Sequence, residues 1–269
     1  GYLDRYVQAM MQAHHDSSSP APADETRAAL IQALARAVFQ TAMQLSGKPL
    51  VVDKITPYEG TVTTVVASLK QFFPEARIVL LLRDGRDVLT SGVFHWLNKH
   101  KRGSVESELV KNRRAIFLGQ GPRIHNLPRF FSDEEIRHWA RHWAQILDAL
   151  HSCADLVIRY EDMVAGHLHV LRALSRCLGV NEARSCLERC VQASTFEVMS
   201  GGRARGQELP AAHVRKGIVG DWRNYFTQRD GQIFSEETGR WLIETGYEKD
   251  ERWWQRAPGR LGDRTRVAA

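Results

Sequence analysis

Two segments of the sequence combine basic side chains with hydroxyl groups or glycines in a way that suits a phosphate group. In the first, RDGRDVLTS, Arg83 directly follows the apolar run RIVLLL, and Ser91 closes the segment. A guanidinium can give a phosphate two charge-assisted hydrogen bonds, and a hydroxyl adds a neutral donor. The alternative is a network of surface ion pairs that includes Asp84, Arg86 and Asp87, and the spacing alone leaves both interpretations open.

The second segment is RKGIVGDW at residues 215–222. A basic pair is usually solvated at a surface, but here Gly217 directly follows Arg215 and Lys216. A glycine lets the backbone approach a ligand closely because it has no Cβ atom. The segment therefore predicts a second point of contact with an anion.

The elements that must position these residues are those of an α/β protein with a parallel sheet. Ligands of such sheets collect beyond the carboxyl ends of the strands, which is where Arg83 stands. Apolar runs predict strands at 49–53, 77–82 and 155–160. Helical spacing and end signals predict helices at 24–47, 61–73, 84–98, 132–152, 161–178, 181–193 and 235–247.

The remaining segments are predicted to be irregular. Residues 100–131 suggest a long loop or lid on the ligand side, 201–212 a flexible loop, and 259–269 a loose tail. Since no linker divides the chain, we expect one domain over 1–250 and a C-terminal tail over 251–269.

The amino-acid composition narrows the classes of molecule that could bind to the protein. Lys and Arg number 37 against 31 Asp and Glu, a formal net charge of +6, which favours an anionic partner without choosing among phosphate, sulfate, nucleic acid and acidic lipid. Four cysteines without a CxxC pair indicate reduced thiols and a cytoplasmic protein. No apolar run approaches the roughly 20 residues that a membrane span needs. No Cys and His pattern predicts a metal site.

Both basic segments resemble signatures of the sulfotransferases that use 3′-phosphoadenosine 5′-phosphosulfate (PAPS). ARIVLLLRDGRDVLTSGVFHW is similar to the family's 3′-phosphate-binding segment, and RKGIVGDWRNYFT to its C-terminal Arg-Lys-Gly signature. VIRYED at 157–162 and STFEVM at 194–199 also fit, so the resemblance runs from Pro49 to Tyr247. It implies a P-loop NTPase-like three-layer fold, with a central parallel sheet flanked by helices.

The resemblance also implies which residues bind the cofactor. The 3′-phosphate would be held by Arg83, Ser91, Arg215, Lys216 and the backbone N–H of Gly217. The adenine would be bordered by Tyr160 and Phe196, with Ser194 nearby; taken alone, these are more typical of core aromatics and a helix-end cap. PAPS would be the sulfuryl donor and 3′-phosphoadenosine 5′-phosphate (PAP) the product, with no metal required.

The catalytic lysine of the resembling family corresponds to Lys54, in VVDKITPYEG. A cation fixed there would stabilise charge on the leaving oxygen. The family's small-molecule branch has a histidine as general base two positions later, where this sequence has Thr56, a poor base. Glu59 is the nearest acidic candidate for the base, and weaker candidates are His14, His15 and Glu25.

One feature of the resembling family is missing from the sequence. The family begins with a strand and a Ser/Gly/Thr-rich loop whose amides cradle the 5′-phosphosulfate, and no such loop precedes GYLDRYVQAM. SGKP at 46–49 ends a predicted helix and precedes a predicted strand, the reverse of a P-loop. We therefore expect the domain to be N-terminally incomplete, without the first strand of its sheet.

Three functions are compatible with these observations. The favoured one is transfer of a sulfuryl group from PAPS to a hydroxyl or amine of a small-molecule or glycan acceptor. The alternative is a non-catalytic module of the same fold that binds PAP or another nucleotide. Nucleic-acid binding is the third, supported by KHKRG at 99–103 with Lys111, Arg113 and Arg114 beyond it, but this loop has no interleaved aromatic residues.

Overall fold

A computed structural model describes residues 24–56, 62–99, 106–121, 124–166 and 168–263 of the chain. The chain divides into two compact units, Gly1–Ala76 and Arg77–Ala269. The predicted single domain over 1–250 stays a prediction.

The described residues of the first unit form two helices, α1 (Asp24–Ser46) and α2 (Val62–Phe72). Gly47 follows α1 with a φ of 62°, a backbone conformation that suits glycine at a helix end. The Gln32 side chain donates to the backbone oxygen of Phe72 at 3.1 Å, and the rings of Phe39 and Phe73 pack edge to face with centroids 5.4 Å apart. Both predicted helices of this unit are confirmed.

The strand predicted at 49–53 is wrong, because the chain from Pro49 to Thr56 has no regular structure. An apolar run forms a strand only where a neighbouring strand satisfies its backbone N–H and C=O groups. The described residues of the first unit are helical or irregular and offer no such neighbour.

The second unit contains two parallel strands, β1 (Val79–Leu82) and β2 (Leu156–Arg159), in which Leu82 lies opposite Arg159. Helices flank them, so the α/β class with a parallel sheet is confirmed. The helices are α3 (Gly85–Lys99), α4 (Glu108–Phe117), α5 (Asp133–Leu150), α6 (Tyr160–Val164), α7 (Leu168–Leu178), α8 (Arg184–Ala193), α9 (Phe196–Met199) and α10 (Gln228–Glu244).

Burial along β1 is less complete than its apolar sequence predicts. Leu82 is 4% exposed, but Leu81 is 55% exposed. A strand covered on both faces would bury both side chains. Within the described residues, β1 is therefore covered on one face and open on the other.

The core of the second unit is aromatic and lies among α3, α5 and α10. Phe130, Phe131, Phe226 and Phe234 are fully buried, and neighbouring rings meet edge to face. The capping box predicted at Ser132 is present, since Ser132 accepts from the Glu135 N–H and Glu135 accepts from the Ser132 N–H. This cap fixes the start of α5.

Two segments predicted to be irregular are folded. The range 100–131 contains α4, which begins at an N-cap on Ser107, and a short 3₁₀ helix at Ile124–Asn126. Within the segment predicted as a C-terminal tail, Trp253 is only 2% exposed and Leu261 lies in the same core. Apolar side chains in a short C-terminal segment are buried when they fill a gap between helices, and local sequence does not reveal that gap.

No helix within the described ranges is long and apolar enough to cross a membrane.

Candidate functional site

The carboxyl ends of β1 and β2 bring Arg83 and Tyr160 together. Because the strands are parallel and in register, the residues that follow Leu82 and Arg159 are neighbours. The guanidinium carbon of Arg83 lies 4.7 Å from the centroid of the Tyr160 ring. A cation over an aromatic face is held by the ring quadrupole, so the Arg83 side chain has a fixed platform at the strand edge.

Arg83 keeps an unused donor at this edge. Its Nε atom is buried and has no hydrogen-bond partner. Arg83 also forms no ion pair with any residue that the structure describes. A buried guanidinium donor without an acceptor is costly, and a phosphate oxygen is an acceptor that would satisfy it. This is the strongest feature of the site that fits an anionic cofactor.

Glu161 connects the two strand ends. It accepts a hydrogen bond from the backbone N–H of Asp84 at 3.0 Å and another from the hydroxyl of Tyr247 at 2.8 Å. Burial, together with the charge of Glu161, raises the pKa of Tyr247 above its ordinary value. The edge that carries Arg83 is therefore held by a partly buried hydrogen-bonded network.

Asp87, in the first turn of α3, joins the two basic segments. Its carboxylate accepts hydrogen bonds from the backbone N–H groups of Gly220 at 2.7 Å and Trp222 at 2.9 Å. Burial, followed by the negative charge of Asp84, raises the pKa of Asp87 to about 6, although the two N–H groups oppose that shift. The segment RDGRD and the segment RKGIVGDW are thus held against each other.

The sequence left open a network of ion pairs among Asp84, Arg86 and Asp87. Such a network exists around Arg86, but it is buried instead of lying at the surface. Arg86 is 1% exposed, and it pairs with Asp84 at 2.7 Å and with Glu248 at 2.5 Å. Its guanidinium carbon lies 3.9 Å from the Trp222 ring centroid and 4.4 Å from that of Trp253. Arg86 therefore has a structural role, and Arg83 remains the basic group of this segment that is available to a ligand.

Arg215 and Lys216 form a basic clamp with two acidic partners. Arg215 forms ion pairs with Asp221 and Glu208, and Lys216 lies 2.9 Å from Asp221. Burial alone would raise the pKa of Asp221, but the two cations hold it below its ordinary value. The guanidinium of Arg215 lies over the ring of Phe94, with its carbon 4.3 Å from the centroid.

Ser91 lies on the same face of α3 as the residues that contact this clamp. It follows Asp87 by one helical turn and precedes Phe94 by one turn, and residues at these spacings share a helix face. Since Asp87 bonds the 220–222 turn and Phe94 contacts Arg215, the half-buried Ser91 belongs to the face directed at the basic clamp.

The close contact with Phe196 requires a glycine at position 217. Gly217 has a φ of 69°, and a Cβ atom there would lie 2.0 Å from a carbon of the Phe196 ring. Phe196 is the first residue of α9 and is buried. The structure therefore packs Phe196 against the Arg-Lys-Gly segment.

Arg203 is a positioning residue that sequence reasoning missed. Its guanidinium donates to the backbone oxygens of Arg215 at 2.9 Å and Gln207 at 3.0 Å, and also to that of Val214. It also lies over the Phe196 ring, 5.3 Å from the centroid. The predicted flexible loop 201–212 is thus fastened to the clamp, and the only signal was the arginines of GGRARG.

Among the predicted site residues of the second unit, Ser194 is not brought into this cluster. Ser194 is exposed and donates its hydroxyl hydrogen bond to the backbone oxygen of Cys190 at 2.8 Å, which is the helix-end cap that its sequence position also suggested. Lys54 lies exposed in the irregular segment of the first unit. Glu59 lies outside the described residues.

The alternative bases belong to the first unit. Glu25 lies in α1, and His14 and His15 lie outside the described residues.

The basic residues that supported nucleic-acid binding have acidic partners. Arg113 is 3% exposed and pairs with Glu135 at 2.5 Å, and Arg114 pairs with Glu106 at 2.5 Å. Only Lys111 remains half exposed, 3.6 Å from Glu108. Phosphate backbones are bound by accessible cations, so α4 is a poor surface for nucleic acid. Of KHKRG, only Lys99 falls within the described residues.

Other features do not add a site at this edge. A cavity of about 720 Å³ lies beside α10, and its lining includes Asp148, Trp241 and Trp254. No group of three or more His, Cys, Asp or Glu side chains in the described chain could hold a metal ion.

Comparison with known families decides the identity of the domain. The sequence profile of the sulfotransferase domain matches residues 60–246, more than half of the chain. The chain belongs to the sulfotransferase family. The match covers both basic segments, so the resemblance inferred from their residues is confirmed at the level of the family.

Individual relatives of this sulfotransferase domain are distant. Sulfotransferase 2A6 of Mus musculus is 27% identical over 176 residues, which cover 62% of this chain and 57% of the relative. Sulfotransferase 2A2 of the same organism is 28% identical over 184 residues. A 3-beta-hydroxysteroid sulfotransferase of Cavia porcellus is 24% identical, with 62% of this chain and 56% of the relative covered. The chain thus spans little more than half the length of these relatives.

One solved structure is similar to the sulfotransferase domain described above. It is mouse sulfotransferase SULT7A1 complexed with PAP, which is 21% identical and covers 70% of this chain and 65% of its own, with a TM-score of 0.44.

Proposed function

We propose that this sulfotransferase domain binds PAPS and PAP at the carboxyl edge of β1 and β2, and that the protein to which it belongs transfers a sulfuryl group. The 3′-phosphate would be held by Arg83 and Ser91 on one side and by Arg215, Lys216 and the N–H of Gly217 on the other. This proposal extends the family membership to particular residues.

The observation that carries the proposal is the joining of the two basic segments by Asp87. Without the hydrogen bonds to Gly220 and Trp222, Arg83 and Arg215 would belong to separate parts of the surface. With them, Arg83, whose buried Nε has no acceptor, and the basic pair belong to two segments that are joined beside one strand edge. Three cations around a small site suit a phosphate monoester, which carries nearly two negative charges at neutral pH.

The adenine would lie between Tyr160 and Phe196. Tyr160 follows β2 and is half buried, and Phe196 supports the turn at Gly217. Apolar rings on either side of a base supply stacking area while the phosphate contacts fix its orientation. Ser194 would contribute only its hydroxyl lone pairs, because its proton is already donated to a backbone carbonyl.

Lys54 is proposed to stabilise the leaving oxygen, with Glu59 proposed as the base. PAPS, when bound, supplies an activated sulfuryl group; the acceptor oxygen forms a bond to sulfur while the bond from sulfur to the 5′-phosphate oxygen breaks. Lys54 would offset the charge that develops on that oxygen, and the base would accept the acceptor's proton. Both roles rest on the resemblance to the family.

The proposed acceptor is a small molecule with a hydroxyl group. The support is the name of the Cavia porcellus relative, a hydroxysteroid sulfotransferase. Amine and glycan acceptors are the other classes that the proposal leaves to be compared by experiment. The proposed compartment is the cytoplasm, supported by four cysteines that are all free thiols.

A non-catalytic nucleotide-binding module is the second candidate. The residues of the described cluster, from Arg83 to Arg215, are all assigned to nucleotide binding. The two catalytic roles are assigned to other residues, Lys54 and Glu59, so the cluster by itself supports binding only. Transfer of labelled sulfate from PAPS to hydroxylated acceptors separates the two candidates. Binding of PAP without transfer would favour the module.

The nucleotide site itself is tested by titrating PAP against the protein and the double variant Arg215→Ala/Lys216→Ala. We expect PAP to raise the melting temperature of the wild type and its affinity for the double variant to fall tenfold or more, since charge-assisted hydrogen bonds are lost. The matched control is Arg184→Ala/Arg240→Ala, which removes two exposed cations of other helices. Equal PAP affinity in wild type and double variant would contradict the assignment.

A further inference from the structure

The two carboxylates of the basic clamp differ in how firmly they are held. Asp221 is 3% exposed, contacts both Arg215 and Lys216, and also accepts a hydrogen bond from the Asn224 side chain at 2.9 Å. Glu208 is 29% exposed, forms an ion pair with Arg215 and lies 3.9 Å from the Lys216 ammonium. Asp221 is therefore a fixed part of the clamp, while Glu208 is a partner that can be exchanged.

The charges make an exchange necessary when a phosphate binds. Arg215 and Lys216 are formally balanced by Asp221 and Glu208, so the clamp is neutral with both carboxylates in place. A further anion in a partly buried, neutral clamp is repelled by the carboxylates already there. Release of Glu208 leaves one net positive charge for the incoming phosphate.

The backbone keeps Glu208 beside the clamp. The N–H of Gly206 donates to the Lys216 oxygen at 2.9 Å, and the N–H of Leu209 donates to the Arg215 oxygen at 3.0 Å. These two hydrogen bonds flank Glu208 in sequence, so its carboxylate is tethered within reach of Arg215. A tethered group competes at an effective concentration in the millimolar range or above.

We propose that Glu208 is an internal competitor for the phosphate subsite: in the free protein its carboxylate occupies the place on Arg215 that the 3′-phosphate takes. The inference rests on the nucleotide site proposed above and adds a residue that sets its affinity. Glu208 weakens the binding of PAP and hastens its release. It has no effect on a nucleotide without a 3′-phosphate, because such a ligand does not need the Arg215 position.

Calorimetric titration of Glu208→Gln with PAP and with adenosine 5′-phosphate tests this inference. Glutamine keeps the size of the side chain and removes its charge, so PAP affinity is expected to rise about fivefold, the loss of one partly exposed ion pair. The affinity of the variant for adenosine 5′-phosphate is expected to stay within a factor of two of the wild-type value, because this nucleotide has no 3′-phosphate to compete with Glu208. The matched control is Glu188→Gln, which removes an equal charge from an exposed pair with Arg184 and is expected to behave as wild type with both ligands.

Each outcome bears on a different part of the argument. Equal PAP affinity for wild type and Glu208→Gln overturns the competitor role and leaves the nucleotide site intact. Weaker PAP binding by the variant also overturns it, because Glu208 then supports Arg215 instead of competing. Absence of PAP binding in both proteins overturns the nucleotide site and the competitor together.

A second variant, Glu208→Asp, keeps the charge but shortens the side chain away from Arg215. It is expected to show an intermediate rise in PAP affinity, and it serves as the test if Glu208→Gln fails to fold. No change from wild type in a folded Glu208→Asp protein would count against the competitor role.

Discussion

At the scale of single residues, Asp87 links folding to the site, because its buried carboxylate holds the 220–222 turn that carries Asp221, the acidic partner of the basic clamp. Its pKa of about 6 is above its ordinary value of 3.8, since burial and Asp84 disfavour its charge. The folded protein therefore takes up this proton before the unfolded chain does. The contribution of Asp87 to the free energy of unfolding therefore increases as the pH falls through 6, and it is complete below 3.8.

The first prediction concerns Asp87→Asn. Between pH 7.5 and pH 5, the free energy of unfolding of the wild type should rise relative to the variant by about 1–2 kcal/mol, because asparagine does not titrate. Urea unfolding of both proteins at the two pH values measures the difference. A difference of the opposite sign would show that Asp87 is stabilised as an anion.

A second prediction at this scale concerns Gly217→Ala. The methyl group would meet the Phe196 ring at a φ that disfavours alanine, so we expect a loss of about 3 kcal/mol of stability and weaker PAP binding. Gly201→Ala is the matched control, since Gly201 has a φ of 73° and nothing within 4 Å of the added atom. It should lose only about 1–2 kcal/mol. Equal losses in urea unfolding would refute the contact with Phe196.

At the scale of elements, the segment 201–216 behaves as an extension of the clamp. Arg203 binds three carbonyl groups of this segment and stacks on Phe196 at the start of α9. Gly206 and Leu209 add backbone hydrogen bonds to Lys216 and Arg215. The segment is therefore ordered by a side chain, although its sequence has the glycines of a flexible loop.

The third prediction is that Arg203→Ala loosens this segment. Hydrogen exchange of amides in 201–216 should accelerate, and PAP affinity should fall by about tenfold, because the carbonyls lose their donor and the clamp its fixed geometry. Arg205→Ala is the control within the same segment, as Arg205 is exposed and bonds only the Val164 oxygen, at 3.2 Å. Similar exchange rates in the two variants would contradict the positioning role.

At the scale of the whole molecule, the C-terminal residues are part of the core of the second unit. The Trp253 ring packs edge to face on Trp222, with centroids 5.6 Å apart, and also lies against Arg86. The Gln228 N–H at the start of α10 donates to the Pro258 oxygen at 2.8 Å. Residues far apart in the chain thus support the turn that carries the basic clamp.

The fourth prediction follows from this packing. Trp253→Ala should reduce the free energy of unfolding by about 3–5 kcal/mol because it leaves a cavity beside the buried Arg86. Trp253→Phe keeps an aromatic ring there and should lose clearly less. Thermal and urea unfolding of the two variants measure these losses. Wild-type stability of both variants would contradict the core assignment.

Much of the local structure could be predicted from the sequence. Helical spacing located α1, α2 and α3, and the Ser132 capping box was predicted together with its helix. Apolar runs located β1 and β2 but failed at 49–53, because a strand also needs a partner that local sequence does not contain. Folding of the C-terminal segment was missed for the same reason: burial of Trp253 depends on a gap between distant elements.

The sequence by itself determined β1, β2, most of the long helices and the two basic segments, because these depend on side-chain type and local spacing. Tertiary structure alone decided the partner of each charged group. The Asp87 carboxylate accepts a hydrogen bond from the N–H of Gly220, 133 positions away in the sequence. Arg86 is paired with carboxylates in the interior, whereas the Nε atom of Arg83 is buried without a hydrogen-bond partner. Such pairings depend on burial and on contacts between distant segments, so residues with similar sequence surroundings acquire different roles.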